Sequence, residues 1–277
     1  MNPLLKVLLF FIATQFLGLY TGIFIITDAM GNPIVGEFMS LGEGVSSLPL
    51  FILYVLFGAA IFLILIRLNI ALLFALLEFA VISVTSSILF YAVLRPFIPD
   101  PFTAMALSVL AGMGLAVAKH FIHHLKNVAA IFSSAGAGAV FGFSFTFFAS
   151  LIIFFIMAIY DYIAVFRTRH MVSMAREIIK QDMSFTVTAT EKSRTGKESR
   201  LDLGTGDLAL PVMVHVAAYP IHPLLSLVTL VGATAGVAFV LIYAWKNKVF
   251  LPAIPFIFSG IMVSLLAAFV LTILKLL

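Results

Sequence analysis

The chain has no cysteine, a single tryptophan and little charge, with Asp, Glu, Lys and Arg together making up 10% of its 277 residues. Without cysteine there is no disulfide framework, thiolate metal site or cysteine nucleophile, and the redox compartment stays unread. The shortage of charge excludes more. Soluble domains run to about 25% charged and about 45–50% apolar residues. This chain is 63% hydrophobic, with a mean hydropathy of +1.20. A water-soluble globule, a disordered chain and a coiled coil are thereby excluded. The composition is that of an all-α polytopic membrane protein, read as one membrane-embedded domain over 1–277.

Sixteen Lys and Arg against 12 Asp and Glu leave a net charge of +4. These basic residues occupy short gaps between apolar runs, the pattern of membrane topology and not of a nucleic-acid groove. The opening segment Met1–Lys6 lacks a basic stretch, and no small-residue cleavage site follows its apolar run, so it reads as a retained first span.

A crossing helix needs about 20 mostly apolar residues. Seven runs meet this at 4–26, 48–66, 70–94, 102–118, 205–220, 222–243 and 252–275. The stretch 128–166 carries one charge, Asp161, and is too long for a single span. A break within the small-residue region Ser133–Ser150 makes it two, and the total nine. The basic residues test this count. Lys6, Arg67, Lys119, Lys126, the eight from Arg167 to Arg200, Lys246 and Lys248 fall on one side, 14 in all, against Arg95 and Lys275 on the other. By the positive-inside bias the N-terminus is cytoplasmic and the C-terminus outside. Spans one to six then occupy 1–166, a cytoplasmic loop 167–203, and spans seven to nine 204–277. In that loop, Met171, Met174, Ala175, Ile178 and Ile179 recur at helical spacing and predict an interfacial amphipathic helix. Ser184–Thr190 alternates and predicts a short strand, with Leu201 and Leu203 a second candidate; either could pair with an unwound substrate or form a self-contained hairpin. Glu191–Arg200, rich in Gly, Ser and charge, reads as a loop.

Ionisable side chains within spans are functional candidates. Four qualify: Glu78, Asp161, Asp207 and His215. Asp161 lies six residues before Arg167, about 9 Å at helical rise, and Asp207 seven after Arg200, about 10 Å if that segment is helical. Two aspartates on sequential spans, reached from one face, thus arrive at one depth. Close carboxylates at low dielectric share a proton, so one activates water while the other donates to the carbonyl under attack. No metal or cofactor is called for. A buried structural pair, or two separate polar residues facing a cavity, is the bland alternative.

The surrounding residues sharpen the choice. Tyr160-Asp161 resembles the YD motif of presenilins, Gly204-Thr205-Gly206-Asp207 matches their GxGD motif, and Pro252-Ala253-Ile254-Pro255 resembles their PAL motif with isoleucine for leucine. Three motifs on spans six, seven and nine, in this order, are specific where each alone is weak. The resemblance is to the presenilin and signal peptide peptidase family of GxGD intramembrane aspartyl proteases. A cytoplasmic N-terminus makes the chain most similar to an archaeal presenilin homologue. The resemblance implies an endopeptidase that hydrolyses transmembrane-helix substrates with Asp161 and Asp207, in a prokaryotic cell membrane. The motif residues Tyr160, Gly204, Thr205, Gly206, Pro252, Ala253, Ile254 and Pro255 would position the substrate. Its partners would be the bilayer and those substrates, with further subunits unspecified and nucleic acid not expected.

Two rivals are weighed against this. Prepilin peptidases also carry GxGD but with a basic residue two places on, where Ala209 stands. A proton- or ion-coupled transporter accounts for intramembrane Asp, Glu and His, but not for the flanking glycines and the proline break. Glu78 counts as about 16 Å from Arg67, near mid-membrane, and is expected to be protonated or bonded to a neighbouring span. His215 calls for a polar partner. His120, His123 and His124 read as interfacial residues, with metal binding the lesser alternative.

Overall fold

The computed structural model describes residues 2–32, 53, 71–122, 124–166, 184–192, 198–247 and 251–273. Among these are eight helices: α1 (Pro3–Gly31), α2 (Ala71–Leu94), α3 (Pro101–Phe121), α4 (Leu125–Ser144), α5 (Phe147–Phe166), α6 (Thr205–Ala218), α7 (Pro223–Asn247) and α8 (Ala253–Ile273). All except α6 are long and apolar enough to cross a membrane, which makes seven. The expected span at 48–66, Leu53 apart, and the amphipathic helix around 171–179 lie outside the described residues.

Local signals explain the helix ends. Asn2 accepts the Leu4 N–H at 3.1 Å and Pro3 opens α1, where its missing N–H costs nothing. Asp100 caps α3 in the same way, accepting from the Thr103 amide at 2.8 Å. The long apolar stretch divides inside the predicted region. Phe145 turns extended, and Thr146 caps α5 by accepting the Ala149 N–H at 3.4 Å.

The short helix α6 is the hub. It packs against α1, α4, α5, α7 and α8, and Val212, Met213, Val214 and Val216 on it are completely buried. A helix apolar all round has to be enclosed, and small residues on its neighbours allow the approach. A Cβ added to Gly138 of α4 would lie 2.6 Å from the Ala209 carbonyl, and one on Gly142 would lie 2.7 Å from that of Met213. Gly232 and Gly236 of α7 likewise bring α8 into backbone contact, a Cβ at either lying 2.5 Å from the carbonyls of Gly260 and Phe256 respectively. Outside this core, α3 and α8 expose Leu110, Val117, Val263, Leu266 and Phe269. In a membrane chain such faces are the solvent-side surface for lipid.

The predicted strand is present, together with the second candidate. β1 (Thr186–Lys192) and β2 (Glu198–Gly204) form an antiparallel pair in which Val187 faces Leu203 and Ala189 faces Leu201. The loop expected over Glu191–Arg200 is correspondingly shorter, because both of its ends belong to the strands. This corrects the depth count for Asp207 as well. The residues before it are extended, and α6 has only 14 residues, about 21 Å of helix. That is short of the ~30 Å hydrocarbon core.

Candidate active site

Asp161 sits on the last turns of α5 and is 3% exposed. Its Oδ2 accepts the backbone N–H of Ile254 at 3.3 Å. That donor exists because of where Ile254 stands. The first N–H groups of a helix have no acceptor within it, and Ile254 is the second residue of α8, between Pro252 and Pro255. The proline-broken start of this helix therefore aims a backbone amide, and the positive end of the helix dipole, at a carboxylate.

Asp207 arrives from the other side, on the first turn of α6 and half-buried. The hairpin sets its place. The Thr205 N–H donates to the Phe185 carbonyl at 3.0 Å, continuing the ladder of the 187/203 and 189/201 pairs. In an antiparallel pair the next amide then points to the opposite edge. That amide belongs to Gly204, and it donates to the Asp207 carboxylate. A Cβ on Gly204 would lie 3.3 Å from Asp207 Oδ2, so the glycine gives this carboxylate room. At Gly206 an added Cβ would meet nothing within 4 Å. Asp161 and Asp207 lie within electrostatic reach of each other.

The site thus unites Asp161, Asp207, Gly204 and Ile254, with Pro252, Ala253 and Pro255 framing the amide of Ile254. The Thr205 carbonyl is held by Ser134 Oγ of α4 at 3.2 Å. Tyr160 is 36% exposed and makes no hydrogen bond among the described residues. Two residues around Asp207 escaped a search confined to ionisable side chains. Pro211 lies inside α6, so the Asp207 carbonyl lacks its helical donor. Completely buried Gln15 of α1 donates to the next carbonyl, Leu208, at 3.1 Å. An amide in the middle of an apolar span was the available signal.

The other intramembrane candidates go elsewhere. Glu78 is bonded to a neighbouring span as expected, pairing with Lys119 of α3, but it also accepts the Ser184 N–H. It therefore lies toward the hairpin end of the bundle and not at mid-membrane, because Lys119 is two residues from the end of α3. The polar partner of His215 is Thr229 of α7, at 2.9 Å from Nδ1. His120 packs edge-on against Phe121, His124 precedes α4, and His123 lies outside the described residues. Among the described residues no group of three or more His, Asp or Glu could hold a metal.

Two carboxylates on separate helices of a membrane chain, each receiving one backbone amide, fit the class of membrane-embedded aspartyl proteases. Residues 24–274 match the family described as signal-peptide peptidase, presenilin aspartyl protease. The fold is similar to the structure of a presenilin family intramembrane aspartate protease in the C222 space group, at TM-score 0.67 and 22% identity, covering 98% of this chain and 100% of that one. A structure of such a protease in the P2 space group is similar at TM-score 0.62 and 22% identity, covering 93% and 96%. Among curated proteins there is no match. The chain belongs to the signal-peptide peptidase/presenilin aspartyl protease family, and it is an intramembrane aspartyl protease.

Proposed function

We propose that Asp161 and Asp207 are the catalytic pair of this protease and that they cleave transmembrane-helix substrates. What supports the reading is that the two carboxylates, on α5 and α6, lie within electrostatic reach of each other, each with a backbone N–H on its carboxyl group. Close carboxylates in a dry site hold one proton between them. The charged member takes a proton from water, whose oxygen attacks the peptide carbonyl carbon, while the protonated member donates to the carbonyl oxygen. In the second step the protonated member gives its proton to the amide nitrogen while the other takes a hydroxyl proton from the gem-diol, so the C–N bond breaks, an acid and an amine leave, and the pair again holds one proton.

A substrate helix protects its amides by its own hydrogen bonds, so cleavage requires local unwinding. The unwound strand needs partners, and the hairpin is the candidate to supply them. Helix side chains already bond the outer edge of β1 at Thr188 and the turn before it at Ser184, which favours β2. On this reading exposed Gly206 admits a substrate backbone, Thr205 and the Pro252–Pro255 segment flank the two carboxylates, and Tyr160, 36% exposed and next in the chain to Asp161, is open to substrate. The protein reads best as nine spans in a prokaryotic cell membrane, with N-terminus cytoplasmic and C-terminus outside; the 14-to-2 division of basic residues supports this orientation.

The test is to incubate purified protein with a single-span substrate and to weigh the products. The parental chain should yield peptides cut within the span. Asp161→Asn and Asp207→Asn should each abolish cleavage while remaining folded, and retained cleavage by both would overturn the pair.

A further inference from the structure

The hairpin delivers Asp207, yet a two-stranded ribbon by itself is marginal. Something has to hold it. β1 has an outer edge, facing away from β2, whose even-numbered residues turn their backbone groups outward by the parity of the ladder. Asn127, in the first turn of α4, meets this edge as a strand would. Its Oδ1 accepts the Thr188 N–H at 2.9 Å, and its Nδ2 donates to the Thr188 carbonyl at 2.9 Å. One side-chain amide thus reproduces both hydrogen bonds of a β-pair. Four residues earlier, in the turn that leads into β1, Glu78 accepts the Ser184 N–H and is itself held by Lys119.

Asn127 also sits in register with the rest of the site. Seven residues along the same face of α4, Ser134 Oγ donates to the Thr205 carbonyl, immediately ahead of Gly206 and Asp207. A turn beyond, Gly138 admits the Ala209 carbonyl of α6. One stripe of α4 therefore fixes the hairpin, the start of α6 and its body together. Any slip of β1 carries β2 with it, and with β2 the Gly204 amide that holds the Asp207 carboxylate.

We propose that Asn127, seconded by Glu78, is a positioning residue: the two side chains stand in for a third strand on β1, fix the hairpin's register, and so hold Asp207 in place against Asp161. The kinetic part of this proposal rests on Asp161 and Asp207 being the catalytic pair; the structural part does not. Asn127→Leu keeps the volume and removes both hydrogen bonds, whereas Asn127→Asp keeps the acceptor for the Thr188 N–H. A displacement on the ångström scale costs up to about 100-fold in rate.

The experiment measures kcat and KM on a single-span substrate and amide hydrogen exchange, with each full-length variant in detergent micelles. Asn127→Leu should lower kcat by about 10- to 100-fold with KM within about twofold of the parent. Exchange should quicken at Thr188 and also at Gly204 and Thr205, and Asn127→Asp should recover part of both effects. A lower melting temperature with parental kcat would overturn the proposal, as would a rise in KM alone. If Asn127→Leu does not fold, Asn127→Asp decides by the same readings: parental kcat and parental exchange at Gly204 overturn the role. The exchange arm needs no turnover. Unchanged protection at Gly204 and Thr205 therefore overturns the register function even if the parent cuts nothing, whereas an inactive parent counts against the catalytic pair alone.

Discussion

The hydrogen bond from Ile254 to Asp161 can be removed almost alone. Ile254→Pro deletes one N–H and places proline in the first turn of α8, where the ring is tolerated because no intrahelical bond is lost. Hydrogen bonds to charged groups contribute about 1.5–3 kcal/mol. At 3.3 Å this one is longer than the 2.7–2.9 Å typical of charge-assisted pairs, so the lower end applies. About 1.5 kcal/mol corresponds to roughly a tenfold loss of rate, if the bond holds Asp161 in its reacting position. The side chain has to be controlled for, because Ile254 is only 3% exposed. Ile254→Val keeps the amide and removes one methylene, which costs about 0.5–1.5 kcal/mol of stability. Ile254→Leu keeps volume as well. Both should cleave at the parental kcat, with Ile254→Val melting a few degrees lower. The assay is single-span cleavage normalised to folded protein, read beside thermal unfolding in the same detergent. Ile254→Pro that stays folded and turns over at the parental kcat would refute the argument that the start of α8 acts on the carboxylate.

Three further outcomes follow from the same structure. If Asp161 and Asp207 share one proton, kcat should trace a bell against pH whose two limbs belong to the pair; a flat profile with intact protein would contradict it. Asp100, outside the spans, has its carboxyl held below the ordinary aspartate range by the Thr103 hydroxyl and amide. Its folded value is the lower one, so the stability it contributes is present above about pH 4, the unfolded value, and is lost as pH falls through the folded one. The difference in melting temperature between the parent and Asp100→Asn should therefore close in strong acid, and a constant difference would count against the cap. A reporter after Leu277 should read as external and one inserted in Glu191–Arg200 as cytoplasmic; finding both on one side would break the nine-span reading.

Much of the molecule was decided one residue at a time along the chain. Apolar run length is a local property, and it marked the seven long helices and the need for a break between Ser133 and Ser150, because crossing hydrocarbon makes a fixed demand on consecutive residues. Alternation in Ser184–Thr190 marked β1 for a similar reason. Asp161, Asp207 and the Pro252–Pro255 segment were legible as candidates because a charge or a missing amide in an apolar setting is conspicuous without any partner in view. What the chain order could not carry was pairing across distance. Ile254 and Asp161 are 93 residues apart, and Gln15 and Leu208 193, and no periodicity links them. Glu78 looked like a mid-membrane charge because depth was counted along one helix, whereas Lys119 and the Ser184 amide fix its level from two other segments. Asn127 carried no sequence signal at all, since a neutral amide near a helix start is ordinary. It became meaningful only when packing of α4 against the hairpin set its two polar atoms opposite one backbone N–H and one carbonyl, a match that depends on where two elements lie and not on what either contains.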